Sequence, residues 1–131
     1  MALALLRRRI QPLVLVLLAD AAADGAAELL KSAVGERRPQ LARPLIGIPH
    51  SESFPSGHAA TSFACATVLS VLVPRGAPAF YVLAAAIAYS RLYVGVHWPL
   101  DVVGGAALGV VIALLLLSEV RRRSRGRPRR G

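Results

Sequence analysis

Cysteine is almost missing from this sequence. Cys65 stands alone, which excludes an internal disulfide and any metal site built on a cysteine cluster. Its apolar surroundings mark it as a packed thiol rather than a reactive one. Acidic residues are scarce as well, 7 against 16 Lys and Arg, for a formal net charge of +9. No alternating strand pattern occurs, which argues against a β-barrel, and there is no internal repeat. The apolar run after Arg7–Arg9 lacks a convincing small-residue cleavage site, so it reads as a retained helix rather than a signal peptide.

What is there is apolar. The 131 residues are 55% hydrophobic, with a mean hydropathy of +0.54, too apolar for a disordered chain and unusual for a soluble one of this size. A basic balance this strong first suggests nucleic acid. Here, though, the arginines cluster at Arg7–Arg9, Arg37–Arg38 and Arg121–Arg130 and bracket long apolar runs. That pattern points to a membrane and away from a nucleic-acid partner.

Crossing a hydrocarbon core of about 30 Å takes roughly 20 helical residues. Four segments approach that length: residues 12–34, 57–73, 78–94 and 99–120. Pro55, Pro78 and Pro99 lie at or just before first turns, where a missing N–H costs little. Gly105 and Gly109 have the small-xxx-small spacing that lets a neighbouring helix approach closely. The expected fold is therefore all-α, a multi-pass transmembrane helical bundle of about four spans. A basic cytoplasmic N-terminus (1–11), a membrane domain (12–120) and a disordered polybasic cytoplasmic tail (121–131) complete the layout. In the first segment Asp20, Asp24 and Glu28 recur every four residues and share a face. That face should look at the bundle, an oligomer partner such as a second copy, or water, because lipid penalises each charge by about 3 kcal/mol; a less hydrophobic, partly interfacial helix is the competing account.

Short-loop basic residues fix the orientation. Arg7–Arg9, Arg75 and the tail fall on one side of four spans, which should be cytoplasmic, with the tail against anionic headgroups. The opposite face then collects Lys31, Arg37 and Arg38, followed by Pro39 as the expected helix end. It also collects Pro55-Ser56-Gly57-His58, then Ser90-Arg91, then His97-Trp98-Pro99-Leu100-Asp101. Lys31 and Arg38 are two turns apart and would point the same way if the first helix persisted past Gly35.

Such a cluster suits a phosphate dianion. Lys31, Arg38 and Arg91 supply cations, arginine gripping oxygens bidentately. Ser56 and Gly57 at a helix start offer a hydroxyl and free N–H groups. Asp101, four residues after His97, can take one imidazole N–H and leave the other nitrogen free to attack. His58 then serves as general acid and afterwards as general base. Each element alone has a plainer reading: snorkelling for Lys31 and Arg37–Arg38, a turn and cap for Pro55–Gly57, a dipole-favoured helix-start acid for Asp101. Tyr89, Tyr93 and Trp98 read as interfacial aromatics, and His50 as a loop residue. A metal on His58, His97 and Asp101 is disfavoured by the neighbouring cations and by the lack of a further ligand at suitable spacing. No cofactor is expected.

Lys31 with Arg38-Pro39, Pro55-Ser56-Gly57-His58, and Ser90-Arg91 with His97 and Asp101 resemble, in order and spacing, the three signature motifs of the type 2 phosphatidic acid phosphatase (PAP2) family, in its membrane-bound lipid phosphatase branch. The resemblance covers about Lys31 to Leu117. It implies a metal-independent phosphatase acting on a lipid-linked phosphate or diphosphate, of polyprenyl or glycerolipid type, through a phosphohistidine. His97 would be the nucleophile, Asp101 its orienting partner and His58 the acid. Lys31, Arg38 and Arg91 would bind phosphate with Ser56 and Gly57. Membrane members of the family usually have six helices, so four would be a shortened form. The same phosphate cage occurs in vanadium haloperoxidases, which are soluble and longer. A non-catalytic adaptor that only holds anionic lipid is the non-enzyme alternative.

Overall fold

The computed structural model describes residues 2–40, 45–47 and 50–125, with side chains described from Ile10 onward. Its elements are helices: α1 (Ala2–Val34), α2 (Gly57–Leu72), α3 (Ala77–Tyr93) and α4 (Pro99–Arg125), with a 3-10 turn at Pro74–Gly76 between α2 and α3. The second, third and fourth expected segments agree with α2, α3 and α4 to within a residue at their starts. Pro78 lies in the first turn of α3 and Pro99 opens α4.

Two boundaries differ from expectation. α1 begins ten residues before Pro12 and carries that proline inside it, so Arg7–Arg9 lie on the helix. α4 continues to Arg125, so the first five residues of the segment expected to be disordered are helical. The remaining tail, residues 126–131, lies outside the described residues, as do the side chains of Arg7–Arg9.

α2 is the central element. α1, α3 and α4 all pack on it, while α1 and α3 flank it without packing on each other. The core they form is built from small residues. Ala19, Ala23 and Ala27 of α1, Ala60, Ala64 and Val68 of α2, and Ala113 of α4 are fully buried. Large apolar residues point the other way, with Leu17, Leu83, Val103, Leu114 and Leu115 all exposed. Small residues inside and leucines outside invert the soluble pattern, because a lipid solvent gives leucine no reason to hide and rewards close backbone approach.

Gly105 and Gly109 provide that approach. A Cβ at Gly109 would collide with the carbonyl of Ala60, and one at Gly105 with the carbonyl of Ser56. α4 therefore lies directly against the backbone of α2. By length and apolarity α4 alone among the described helices suffices to cross a membrane. α2 and α3 have 16 and 17 residues, about 24–26 Å at 1.5 Å per residue.

Candidate active site

The end of α1 sets the first part of the site. Gly35 takes a left-handed φ of 66° and its N–H donates to the Lys31 carbonyl at 2.9 Å, the glycine stop that ends many helices. The helix thus ends at Val34, before Pro39, and Lys31 and Arg38 do not share one helix face. Arg38 instead arrives on the non-helical segment after Gly35. That segment is pinned by the Trp98 indole N–H, which donates to the Arg37 carbonyl at 3.1 Å, and by Ser53 N–H, which donates to the Glu36 carbonyl at 2.7 Å.

The second part is the junction of α2 and α4. Ser56 caps α2, its fully buried Oγ accepting from Ala59 N–H at 3.5 Å, and its own N–H donates to the Asp101 carbonyl at 2.9 Å. Ser56 therefore does not reach the cavity described below; its neighbour Gly57 does. At the other helix start, Asp101 reaches back to the Trp98 N–H at 2.7 Å, half of a capping box. Asp101 thus stands at the helix start and beside His97 at once. The same oxygen, Oδ2, accepts from the Ser53 hydroxyl and lies 3.4 Å from His97 Nδ1. Asp101 is completely buried, and its Oδ1 has no hydrogen-bond partner.

His97 is held from both sides. With Nδ1 turned to Asp101, Nε2 stands 3.2 Å from Arg38 Nη1. Arg38 is fixed in turn, Nε donating to the Ser51 carbonyl at 2.8 Å, Nη2 to Ser51 Oγ at 3.1 Å and Nη1 to the Val96 carbonyl at 2.8 Å. Burial, and after it the Arg38 charge, pushes the His97 pKa below its ordinary 6.5, while the bond to Asp101 pulls the other way. Burial also lowers the Arg38 pKa, opposed by the charges of Asp101, Glu28 and Glu52. The downward shift favours the neutral imidazole, which keeps its lone pair on Nε2 when Nδ1–H is given to Asp101.

A cavity of about 420 Å³ gathers the rest: Lys31, Arg38, Gly57, His58, Arg91 and His97 all line it. Lys31 is buried and ion-paired with Glu28. Arg91, at the end of α3, bonds Ser90 Oγ at 3.1 Å. Six of the eight expected residues thus share one chamber, Asp101 stands behind His97, and Ser56 is the cap.

The same wall carries Asp20, Asp24 and Glu28. Their face meets this chamber, one of the environments their spacing allowed. Ser53 and Ser51 had no signal in the sequence, since neither belongs to a spaced motif; only the fold brings them to Asp101 and Arg38. His50 is exposed and does not line the cavity. Among the described residues no three His, Cys, Asp or Glu side chains gather as a metal site. The cations of the chamber suit an anion.

Known proteins resemble the chain across this region. The family described as the PAP2 superfamily matches residues 12–125. A lipid A 1-phosphatase of Rhizobium johnstonii is 38% identical over 97 residues, covering 68% of this chain and 40% of that protein. A decaprenylphosphoryl-5-phosphoribose phosphatase of Mycobacterium tuberculosis is 37% identical over 111 residues, covering 82% and 60%. The crystal structure of a transmembrane PAP2-type phosphatidylglycerolphosphate phosphatase from Bacillus subtilis superposes with a TM-score of 0.69 at 30% identity, over 87% of this chain and 61% of that one. The chain thus spans between two fifths and about three fifths of the length of these relatives.

Proposed function

The chain belongs to the PAP2 superfamily, and from that premise we propose that it is an integral-membrane phosphatase that hydrolyses a lipid-linked phosphate through a phosphohistidine. The observation that carries the reading is the pair of contacts on His97. Asp101 sits at Nδ1, and Nε2 faces a chamber lined by Arg38, Lys31, Arg91 and His58. Relatives named for action on lipid A, a decaprenyl-linked phosphoribose and phosphatidylglycerolphosphate support the lipid substrate class.

In this mechanism the substrate phosphate lies among Lys31, Arg38, Arg91 and the α2 start at Gly57, where charge and helix dipole both favour an anion. His97 Nε2 attacks phosphorus, the bond from phosphorus to the lipid oxygen breaks, and His58 gives that oxygen its proton. Water then attacks the phosphohistidine, His58 takes the water's proton, the P–N bond breaks and phosphate leaves. Asp101 orients His97 and stabilises the imidazolium-like charge that develops on it. Ser56 contributes by capping the helix that carries Gly57 and His58. No metal takes part in any step.

The four helices cross the membrane in this reading, termini cytoplasmic and site on the opposite face, with residues 12–120 as the membrane domain. The exposed leucines and the basic residues at one end support it.

The test is phosphate release by the purified protein from a panel of lipid phosphates with EDTA present. Release is expected in wild type and lost in His97→Ala. An adaptor that only holds anionic lipid predicts that His97→Ala changes nothing, and that outcome would refute the mechanism.

A further inference from the structure

One cation of the chamber already has an anion. Lys31 Nζ is ion-paired with Glu28, which precedes it by one turn of α1, and both residues line the chamber. The ammonium also lies over the start of α2. A Cβ at Gly57 would stand 3.7 Å from Lys31 Nζ and 3.7 Å from Asp24 Oδ1. Asp24, Glu28 and Lys31 are four and three residues apart, so one face of α1 carries the lysine together with two carboxylates. The phosphatase reading gives Lys31 to the substrate phosphate, whereas the structure gives it to a glutamate.

The two partners differ in freedom. The Lys31 side chain is 8% exposed and that of Glu28 is 55% exposed, so the lysine is fixed by its surroundings and the glutamate has open space to turn into. Arg38 and Arg91 are held differently. Among the described residues their hydrogen-bond partners are the neutral Ser51, Val96, His97 and Ser90, which leave the guanidinium charges to an incoming anion. A phosphate dianion and a carboxylate on the same ammonium repel each other, and Glu28 is the one that can move.

We propose that Glu28 is a resident counter-anion of the phosphate site, displaced from Lys31 by each phosphate that binds and restored when phosphate leaves. The inference rests on the phosphatase reading of the chamber and adds a residue that sets its affinity. Between turnovers Glu28 compensates a buried ammonium that would otherwise lack a charge partner. During turnover it competes with every bound phosphate, product included, and so weakens the product and clears the site for the next lipid. The exchange is a side-chain rotation in which no proton or covalent bond changes hands.

The test compares wild type, Glu28→Gln and Glu28→Asp in detergent, by calorimetric titration with inorganic phosphate and by phosphate release from hexadecyl phosphate. Glutamine keeps an acceptor for Lys31 and removes the charge; aspartate keeps the charge on a shorter side chain. Inorganic phosphate should bind Glu28→Gln at least about tenfold more tightly than wild type, as a like charge beside the anion is removed. Its inhibition constant against hexadecyl phosphate should fall in step. Glu28→Asp should return both constants to within about threefold of wild type. Thermal midpoints give a second readout. Without phosphate Glu28→Gln should melt below wild type, its buried ammonium having lost an anion, and saturating phosphate should raise its midpoint by more than it raises the wild type's. Glu28→Ala, which removes the side chain outright, should also tighten phosphate binding. A lowered midpoint with no larger rise, or unchanged or weaker phosphate binding in either neutral variant, would mark Glu28 as merely structural and overturn the inference. Hydrolysis by the wild type with phosphate affinity unchanged in Glu28→Gln would leave the phosphatase reading standing without the counter-anion. Tighter phosphate in that variant with no hydrolysis by the wild type would do the reverse.

Discussion

His97 sits between a cation at Nε2 and a carboxylate at Nδ1, and the balance of the two fixes its protonation. Burial and Arg38 lower its pKa while Asp101 raises it. A lowered value keeps the imidazole neutral as pH falls past 6.5, so in the proposed mechanism turnover is lost only when pH drops through the lower folded value. Histidine-selective NMR titration should find His97 below 6.5. Arg38→Gln removes a lowering cause and should move the midpoint up, whereas Asp101→Asn removes a raising one and should move it down. A His97 midpoint at or above 6.5 would contradict this. Asp101→Ala is expected to unsettle the fold as well, because the Ser53 hydroxyl, the Trp98 N–H and His97 all lose their acceptor. Orphaned buried donors cost about 1–3 kcal/mol each, so a drop in the thermal midpoint in detergent should accompany inactivation. His58→Ala, at the exposed end of α2, should leave the midpoint near wild type and slow turnover by about 10²–10⁴ as a lost general acid. The site residues whose chemistry is written in their type and spacing were legible from sequence: two histidines, an aspartate four after one of them, cations at helix ends. Ser51 and Ser53 were not, because a serine in an irregular loop carries no signal until the loop is folded against Arg38 and Asp101.

The starts of α2, α3 and α4 were readable because they rest on local chemistry: Ser56 as cap, proline in the first turns of α3 and α4. For the stop of α1 the sequence offered two positions, the end of the first apolar segment at Val34 and Pro39, and the helix ends at the first of them. Pro39 is the stronger punctuation on paper, but Gly35 adopts the left-handed conformation first and closes the helix onto the Lys31 carbonyl. Arg38 therefore reaches His97 from a non-helical strand of chain, held by Ser51 and Val96, and not from two turns beyond Lys31. The small-xxx-small pair on α4 was legible in spacing, though not in partner. The structure sets Gly105 against Ser56 and Gly109 against Ala60, so the same contact that holds the bundle also fixes the start of α2 beside that of α4. Gly109→Ala should therefore cost about 1–3 kcal/mol of stability, the range for overpacking a tight core. Gly105→Ala should in addition depress turnover, since the carbonyl it displaces belongs to the residue before Gly57. If Gly105→Ala lowered stability and left kcat untouched, the link between helix packing and site geometry would be broken.

At the scale of the whole molecule, the bundle places its chemistry at one end and a large share of its basic residues at the other. Arg75 in the α2–α3 turn and Arg121–Arg125 of α4 are exposed at the end away from His58 and His97. Short basic loops remain on the cytoplasmic side during insertion, and the proposed topology accordingly has the chamber on the opposite face. The difficulty is length: α2 and α3, at 16 and 17 residues, fall short of the ~30 Å core. Local thinning of the bilayer or snorkelling of a flanking side chain such as Arg75 offsets a shortfall of this size at fractions of a kcal/mol per Å. Single cysteines at Glu52 and Arg75, both exposed, in a Cys65→Ala background separate the alternatives. A membrane-impermeant maleimide should label Glu52→Cys from outside intact cells and Arg75→Cys only in inverted vesicles. Labelling of both positions from the same side would mean that α2 does not cross, and the chamber would then have to draw its lipid from a surface-lying helix. The predicted opposite labelling instead requires a substrate whose phosphate is presented at the non-cytoplasmic leaflet.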